Sequence, residues 1–232
     1  MTDLFGKKFI TGIKKVKDAK LPVVSVILTV FNRDSYLRRA VNSLLTQSFR
    51  NWELIAIDDG SYDDSSKILK EYAGLFSNIK VLTQENRKLA FSRNRGIKNS
   101  TGKYITFLDS DDEYAGNHLY ERVNYMEKNQ TVDLIHGGVK IIGDEFVRDK
   151  DNPYCFIHLS ECMIGGTFFG RRGVFKSLNG FKENIYSEDS EFLHRAVQMY
   201  NVRKVDFKSY IYHRESEDSI THNYAPQKIQ LL

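Results

Sequence analysis

The stretch 104–114, YITFLDSDDEY, sets Asp109, Asp111, Asp112 and Glu113 directly behind an apolar run, with only Ser110 among them. Carboxylates this close repel and raise one another's pKa unless a positive charge offsets them. A hard divalent cation, Mg2+ or Mn2+, suits such oxygen donors, and it binds through one or two carboxylates plus substrate phosphates. Two further acidic pairs stand out: Asp58 and Asp59 in DDGS (58–61), and Glu188 and Asp189 in YSEDSEF (186–192). Thr29, Phe31 and Asn32 close an apolar run at TVFN (29–32). Taken singly, each group also has a plain structural reading. DSDD suits a solvated turn in which Asp111 or Asp112 caps the next helix, and DDGS suits an Asx turn. Phe31 suits a core, and Ser187-Glu-Asp189 a helix cap that complements the dipole. Their joint placement favours chemistry over these readings.

That placement follows from the elements. VVSVILTV (23–30) is a short β-branched run, as expected of a strand covered on both faces. Residues 34–47 then show helical spacing in Leu37, Val41, Leu44 and Leu45, with Asp34 or Ser35 as the expected N-cap. Strands are predicted at 52–57, 79–84 and 103–108, and helices at 63–76 and around 89–99. Such alternation indicates βαβ units and a parallel sheet. In an open parallel sheet, ligands gather beyond the carboxyl ends of the strands. TVFN, DDGS and DSDD all fall at such ends. Beyond residue 114 the rhythm loosens. Helices are expected near 117–129, 171–178 and 187–200, and strands within 132–142, 202–207 and 209–214.

The 232 residues suit one domain, with residues 1–21 as a basic amphipathic leader. Within the domain, 22–114 reads as a nucleotide-binding half and 115–232 as an irregular substrate half. The 34 basic residues against 30 acidic ones are too balanced for a nucleic-acid binder, so no nucleic-acid partner is expected. Cys155 and Cys162 lack a CxxC spacing and read as free thiols in a reducing compartment. No stretch approaches the roughly 20 apolar residues of a membrane span, and no signal peptide is visible. The expected location is therefore cytoplasmic. In the leader, Phe5, Phe9, Ile13 and Val16 share a helical face opposite Lys7, Lys8, Lys14 and Lys15. Such a segment can lie on anionic lipid at the inner face of the membrane, or dock on the chain's own body.

The combination VSVILTVFNR, SLLTQSFRNWELIAIDDGSYDDS, YITFLDSDDEY, GGTFFGRR and NGFKENIYSEDSEFLHRA resembles the family-two glycosyltransferases, inverting enzymes of the GT-A fold. The resemblance runs from about Pro22 to Ser219. It implies a Rossmann-like, mainly parallel sheet flanked by helices, a nucleotide-sugar donor of the UDP-sugar class, and Mn2+ or Mg2+ as cofactor. The implied acceptor is a glycan or a lipid-linked glycan, in bacterial cell-surface polysaccharide biosynthesis. Position by position, the family pattern sets Thr29 and Phe31 at the uracil, with Asn32 following them. Asp59 would accept the uracil N3–H, beside Asp58. Asp109 matches the ribose-contacting member of the DXD motif, with Ser110 between it and the metal ligand Asp111. Asp189 matches the general base and Glu188 its neighbour. Arg93, in SRNRG, matches an element that sits against the donor diphosphate or the DXD loop. His213 or His222 would complete the metal shell or contact phosphate. Gly165, Gly166 and Thr167 match an acceptor-side loop, and equally suit a tight turn. The stretch RKLAFSRN departs from the pattern: Lys88 stands where a glycine is common, and Ser92 where alanine is usual.

Two other functions compete. A nucleotidyltransferase would carry a glycine-rich phosphate loop after the first strand, and TVFNRDS has no glycine. A non-catalytic nucleotide-sugar-binding module of the same fold would keep the donor residues without turnover.

Overall fold

The structure, a computed structural model, describes residues 21–149, 152, 154–183, 185 and 187–214. The amphipathic leader lies outside the described residues except for Leu21, and so does His222.

The first half alternates as its periodicity predicts. β1 (Val24–Val30), α1 (Asp34–Leu45), β2 (Trp52–Asp58), α2 (Ser65–Leu75), β3 (Ile79–Thr83), α3 (Lys88–Asn99) and β4 (Tyr104–Asp109) follow in order. β1 is mainly apolar, interrupted by Ser25 and Thr29, because both its faces are covered. Val24, Val26, Leu28 and Val30 share a core with Leu37, Val41 and Leu44 of α1 and with Ile68 and Leu69 of α2. Ile27 points to the other face, into a second core with Ala90 and Ile97 of α3. Alternate side chains of one strand thus serve two layers.

The second half brings β5 (Glu113–Tyr114), α4 (His118–Lys128), β6 (Leu134–His136), β7 (Val139–Ile142), β8 (Phe146–Arg148) and β9 (Phe156–His158). Two 3-10 turns, Leu159–Glu161 and Gly165–Thr167, lead to β10 (Phe169–Arg171), α5 (Arg172–Ser177), α6 (Glu188–Met199), β11 (Val202–Lys204) and β12 (Tyr210–His213). Phe168, Phe175, Phe181 and Phe192 join the second core, so α5 and α6 share the face that α3 covers.

The main sheet has the order β11-β6-β10-β4-β1-β2-β3. β1 pairs in parallel with both β2 and β4, and β2 in parallel with β3. β10 runs antiparallel to β4 and to β6. The chain leaves β1 to one side for β2 and β3, then returns to β1's other side for β4. This reversal is a topological switch point, where a crevice opens beyond the strand ends. The register sets Thr29 opposite Asp109 and Val30 opposite Asp58. A second sheet, β5-β12-β7, lies behind the acidic loop, with Ile211 opposite Glu113.

The expected N-cap of the first helix is not the one observed. Asp34 is already the first helical residue, and Arg33 occupies the cap position without a side-chain cap bond. The loop before α2 and the first residue of α2 supply the acceptors instead. Ser65 Oγ takes the Arg33 N–H at 2.9 Å, and Asp63 Oδ2 takes the Asp34 N–H at 3.1 Å. A helix N-terminus needs acceptors, not acceptors from its own chain segment.

Candidate active site

At the carboxyl end of β4, the Asp109 carboxylate meets the guanidinium of Arg93, which α3 delivers from the layer below. Arg93 Nη2 donates to Asp109 Oδ1 at 3.1 Å, and its Nη1 donates to Asp189 Oδ1 at 2.6 Å. Glu188 Oε1 lies 3.4 Å from the same Nη1. One cation, 2% exposed, therefore binds three carboxylates from two elements. Its Cζ lies 5.5 and 5.3 Å from the ring centroids of Phe107 and Phe181. Burial pulls the Arg93 pKa down, but Asp189, Asp109 and Glu188 outweigh it, and the group stays charged. Its neighbour Asn94 does not face the acids. Asn94 clamps the turn before α6, exchanging two 2.8 Å bonds with the backbone of Phe181.

Glu188 and Asp189 open α6, yet neither acts as its cap. Ser187, at the cap position, has a left-handed backbone and makes no side-chain cap bond. Asp189 instead accepts from the Gly165 N–H at 3.0 Å. A Cβ on Gly165 would collide with that carboxylate, so only glycine permits the approach. Burial raises the Asp189 pKa; Arg93 opposes the rise and Asp109 adds to it. Glu188 is raised too, by burial and then by the Asp189 charge, against Arg93. About a fifth of the Asp189 side chain remains exposed, at 20%. A carboxylate that is accessible, raised in pKa and held at a fixed angle is equipped to take a proton.

The remaining acids of the loop divide by burial. Asp112 is 1% exposed and accepts from Tyr210 Oη at 2.7 Å and from the His213 N–H at 2.8 Å, so it is a strut and not a helix cap. Burial, then the charges of Asp109 and Asp111, holds its pKa well above the carboxylate range. Asp111 reaches outward, with Arg33 Nε 3.9 Å from its Oδ2. Arg39 donates to the Asp111 carbonyl and sits 3.8 Å from Glu113. His213 Nε2 is 2.7 Å from Glu113 Oε1, which brings this histidine to the loop. Ser110 is buried in the same bend.

No group of three His, Cys, Asp or Glu side chains stands ready to cage a metal among the described residues. Mg2+ and Mn2+ do not require one. Asp109 and Asp111 are 26% and 23% exposed and lie two residues apart, which fits a cation bound by one or two carboxylates and completed by substrate oxygens.

On the other side of β1, Asp59 donates its backbone N–H to Val30 O at 2.8 Å. Its Oδ1 accepts from Gln84 Nε2 at 2.7 Å and from the Arg87 N–H at 2.9 Å. Asp58 makes the Asx-type bond that the plain reading anticipates, from the Ser61 N–H to Oδ1 at 3.0 Å. Its Oδ2 is buried with no partner among the described residues. Asn32 ties the end of β1 to this loop, taking the Tyr62 N–H at 3.0 Å and giving its own N–H to Ser61 Oγ. Phe31 is 40% exposed, with Tyr62 edge-on at 6.1 Å, so Phe31 is a surface aromatic and not core.

Two expected acceptor-side residues differ. A Cβ on Gly166 would strike the Tyr210 ring, which fits a required close approach. Thr167 is turned inward, donating to Ile164 O at 2.7 Å and accepting from the Gly137 N–H at 3.0 Å. The structure thus unites Asp109, Arg93, Glu188, Asp189 and Gly165 and leaves the Thr167 hydroxyl out. Sequence reasoning passed over Tyr210, Arg33, Arg39 and Gln84. Tyr210 sits in an unremarkable strand, and only pairing with Tyr114 brings its phenol to the loop.

Residues 25–206 match the family model described as Glycosyl transferase family 2. The chain belongs to that family. Among curated members, it is 33% identical over 216 residues to glycosyltransferase GlyA of Streptococcus pneumoniae, covering 78% of this chain and 31% of that protein. It is 31% identical to the putative glycosyltransferase EpsE of Bacillus subtilis, covering 69% of this chain and 60% of EpsE. It is 34% identical to the minor teichoic acid biosynthesis protein GgaA of B. subtilis, covering 75% and 43%. The chain thus spans from about a third to three fifths of these relatives' lengths. Among solved structures, Staphylococcus aureus TarS 1–349 in complex with UDP-GlcNAc superposes with a TM-score of 0.71 at 21% identity, covering 87% of this chain and 61% of TarS. Mannosyltransferase PcManGT of Pyrobaculum calidifontis, with GDP-Man and Mn2+, gives 0.66 at 16%, covering 83% and 57%. These neighbours share the GT-A-like fold of the family 2 chain. No helix among the described residues is long and apolar enough to cross a membrane.

Proposed function

We propose that the chain transfers a sugar, with inversion, from a UDP-sugar to a hydroxyl of a glycan or lipid-linked acceptor, in assembly of a cell-surface polysaccharide. The observation that carries this reading is the Arg93 guanidinium, which holds the acid at the end of β4 and the acid at the start of α6 in one hydrogen-bonded unit. Donor-side and acceptor-side chemistry then share a single crevice. The UDP-GlcNAc complex of TarS and the teichoic acid role of GgaA support the donor and product classes.

In this reading the base lies between the strand-end loops, with Phe31 against its face and Asp59 accepting its imide N–H. Asp109 contacts the ribose. Asp111 would hold Mn2+ or Mg2+, which when bound offsets charge on the diphosphate as it departs. Arg93 fixes Asp189, with Gly165 N–H holding the other carboxylate oxygen. As the acceptor oxygen attacks the anomeric carbon, Asp189 takes its proton. The bond from that carbon to the diphosphate oxygen breaks on the opposite face, and UDP leaves with the electron pair. Glu188, beside the base, helps to keep Arg93 charged and in place. Tyr210 and Asp112 brace the loop from behind.

A UDP-release assay over a panel of UDP-sugars with Mn2+ and glycan acceptors tests the reading. Turnover should fall by about a hundredfold or more in Asp189→Asn, the scale of a lost general base, while UDP affinity stays at the wild-type value. UDP that fails to bind with or without metal would remove the proposal.

A further inference from the structure

Gln84, immediately after β3, carries an amide whose direction is forced. Its Oε1 accepts from Arg95 Nη1 at 2.8 Å, and its Nε2 donates to Asp59 Oδ1 at 2.7 Å and to Ser92 Oγ at 2.9 Å. Guanidinium has no acceptor and an ionised carboxylate has no donor. The flipped amide would face N–H to N–H at Arg95 and oxygen to oxygen at Asp59, so neighbouring charges fix its assignment. Arg95 is itself anchored on Thr83 O at 2.9 Å, and Ser92 is fully buried in α3. The segment cannot drift from Asp59 either, because Gly60 packs against the backbone of Gln84 and Asn86, where a Cβ would meet Asn86 N at 3.0 Å. Ser92 and Arg95 of α3 therefore hold Gln84, and Gln84 holds Asp59.

With Gln84 and the Arg87 N–H on Oδ1, Oδ2 carries no hydrogen bond among the described residues. We infer that Gln84 is the positioning residue that presents Asp59 to the nucleobase as a fixed, acceptor-only group, and so sets the preference for a base with a ring N–H over one with a ring acceptor. The inference rests on the reading of Asp59 as the base contact. Two N–H donors on Oδ1 fix the direction of the carboxylate and leave Oδ2 as the acceptor on offer. The Arg95 cation polarises the amide and strengthens its donation. The free Oδ2 of Asp59 is placed to accept from the imide N–H of uracil. It meets the unprotonated ring nitrogen of cytosine acceptor to acceptor, which is repulsive.

Calorimetric binding of UDP and CDP, with Mn2+, to the full chain tests this in wild type, Gln84→Glu, Gln84→Met and Asp59→Asn. Gln84→Glu keeps the shape and sets a second carboxylate against Asp59, which repels it. UDP affinity should drop about tenfold or more, and the UDP-to-CDP ratio at neutral pH should shrink. Gln84→Met removes the donor without adding charge; it should lower UDP affinity and the ratio to a smaller extent. A purely structural role for Gln84 would move both nucleotides equally and leave the ratio alone, which would overturn the inference. If Asp59→Asn weakens UDP but both Gln84 variants keep the wild-type affinity and ratio, Gln84 has no part in base choice. If Asp59→Asn leaves UDP binding untouched, the reading of Asp59 fails, and the inference fails with it for that separate reason.

Discussion

Arg93 and Asp189, 96 residues apart in sequence, meet at 2.6 Å, and the same guanidinium reaches Asp109 at 3.1 Å. Removing one partner of a buried ion pair is far more damaging than the pair is stabilising, because the remaining charge loses its compensation. Arg93→Met leaves three acids facing one another. It should lower stability by about 3 kcal/mol, near the low end of the usual range because the carboxylates keep some water contact. In the double variant with Asp189→Asn, part of that loss should return, since fewer like charges remain. Urea unfolding of the two single variants and the double variant measures the coupling; strictly additive losses would show that the ion pair is incidental.

The acid limb of kcat/KM should lie above the ordinary carboxylate range. Burial raises both Asp189 and Glu188 above their usual values, and Arg93 holds the rise in check. A general base works only when ionised, so activity is lost as pH falls through the raised pKa. Arg93→Gln removes the restraining cation and should shift the limb to still higher pH. The sign for stability is opposite. A carboxyl whose folded pKa is raised contributes stability that is complete below its unfolded pKa and is lost as pH rises through the folded one. The stability difference between Asp189→Asn and wild type should therefore move in the variant's favour as pH rises through that window. A pH series of rates and melting temperatures reads both effects, and a limb at the pKa of a free carboxylate would contradict the assignment.

Gly165 offers a cleaner probe of geometry than the charged residues do. A Cβ there would occupy the space of the Asp189 carboxylate, with the backbone otherwise unchanged. Gly165→Ala should cut kcat sharply while UDP affinity stays constant, because the base is displaced and the donor loops are not. Equal losses in both quantities would mean that the crevice as a whole had collapsed.

The alternation from β1 to β4 was legible because β1, β2 and β4 are buried on two faces and each helix on one, so burial leaves its period in the sequence. In the three-stranded sheet around Tyr210, the strands within 132–142 and 209–214 were legible, but β5 and the pairing of the three were not. Glu113–Tyr114, two residues long, is too short to show a period. The first helix's cap was misread because its acceptor, Asp63, lies 29 residues away. Asp189 was legible as an acid at a helix start, but its contact with Arg93 was not. The unusual Lys88 and Ser92 prove to be of different kinds. Ser92 is a working partner of Gln84, whereas Lys88 sits at φ 68°, a left-handed backbone that a Cβ disfavours.

Lys88 therefore carries a prediction of its own. A non-glycine residue in the left-handed region costs about 1–2 kcal/mol, and glycine's greater freedom in the unfolded chain returns about 0.5–1 of that. Lys88→Gly should raise stability by a few tenths up to about 1 kcal/mol. Lys88→Val, β-branched at the same φ, should destabilise. Chemical denaturation of both settles the sign, and a loss on going to glycine would show that the Lys88 side chain makes a compensating contact.

Metal dependence should reside in Asp111 and not in the acids behind it. Asp112 is tied to Tyr210 and the His213 N–H and is closed to solvent, while Asp111 reaches outward with Arg33 at 3.9 Å. Arg33 partly neutralises Asp111 in the absence of donor, which weakens the attraction of a bare cation to this loop. A diphosphate arriving with its cation adds oxygens that the loop does not supply, so nucleotide and metal should bind with positive linkage. UDP titrated with Mn2+ should bind at least about tenfold more tightly than with chelator, a modest coupling on the usual scale. Asp111→Asn should abolish most of that difference while leaving the chelator value alone, because the amide retains the shape and loses the charge. Asp112→Asn should leave the linkage intact even if it lowers the melting temperature. A linkage that survives Asp111→Asn would move the cation elsewhere on the loop, to Asp109 or Glu113, the other partly exposed carboxylates there.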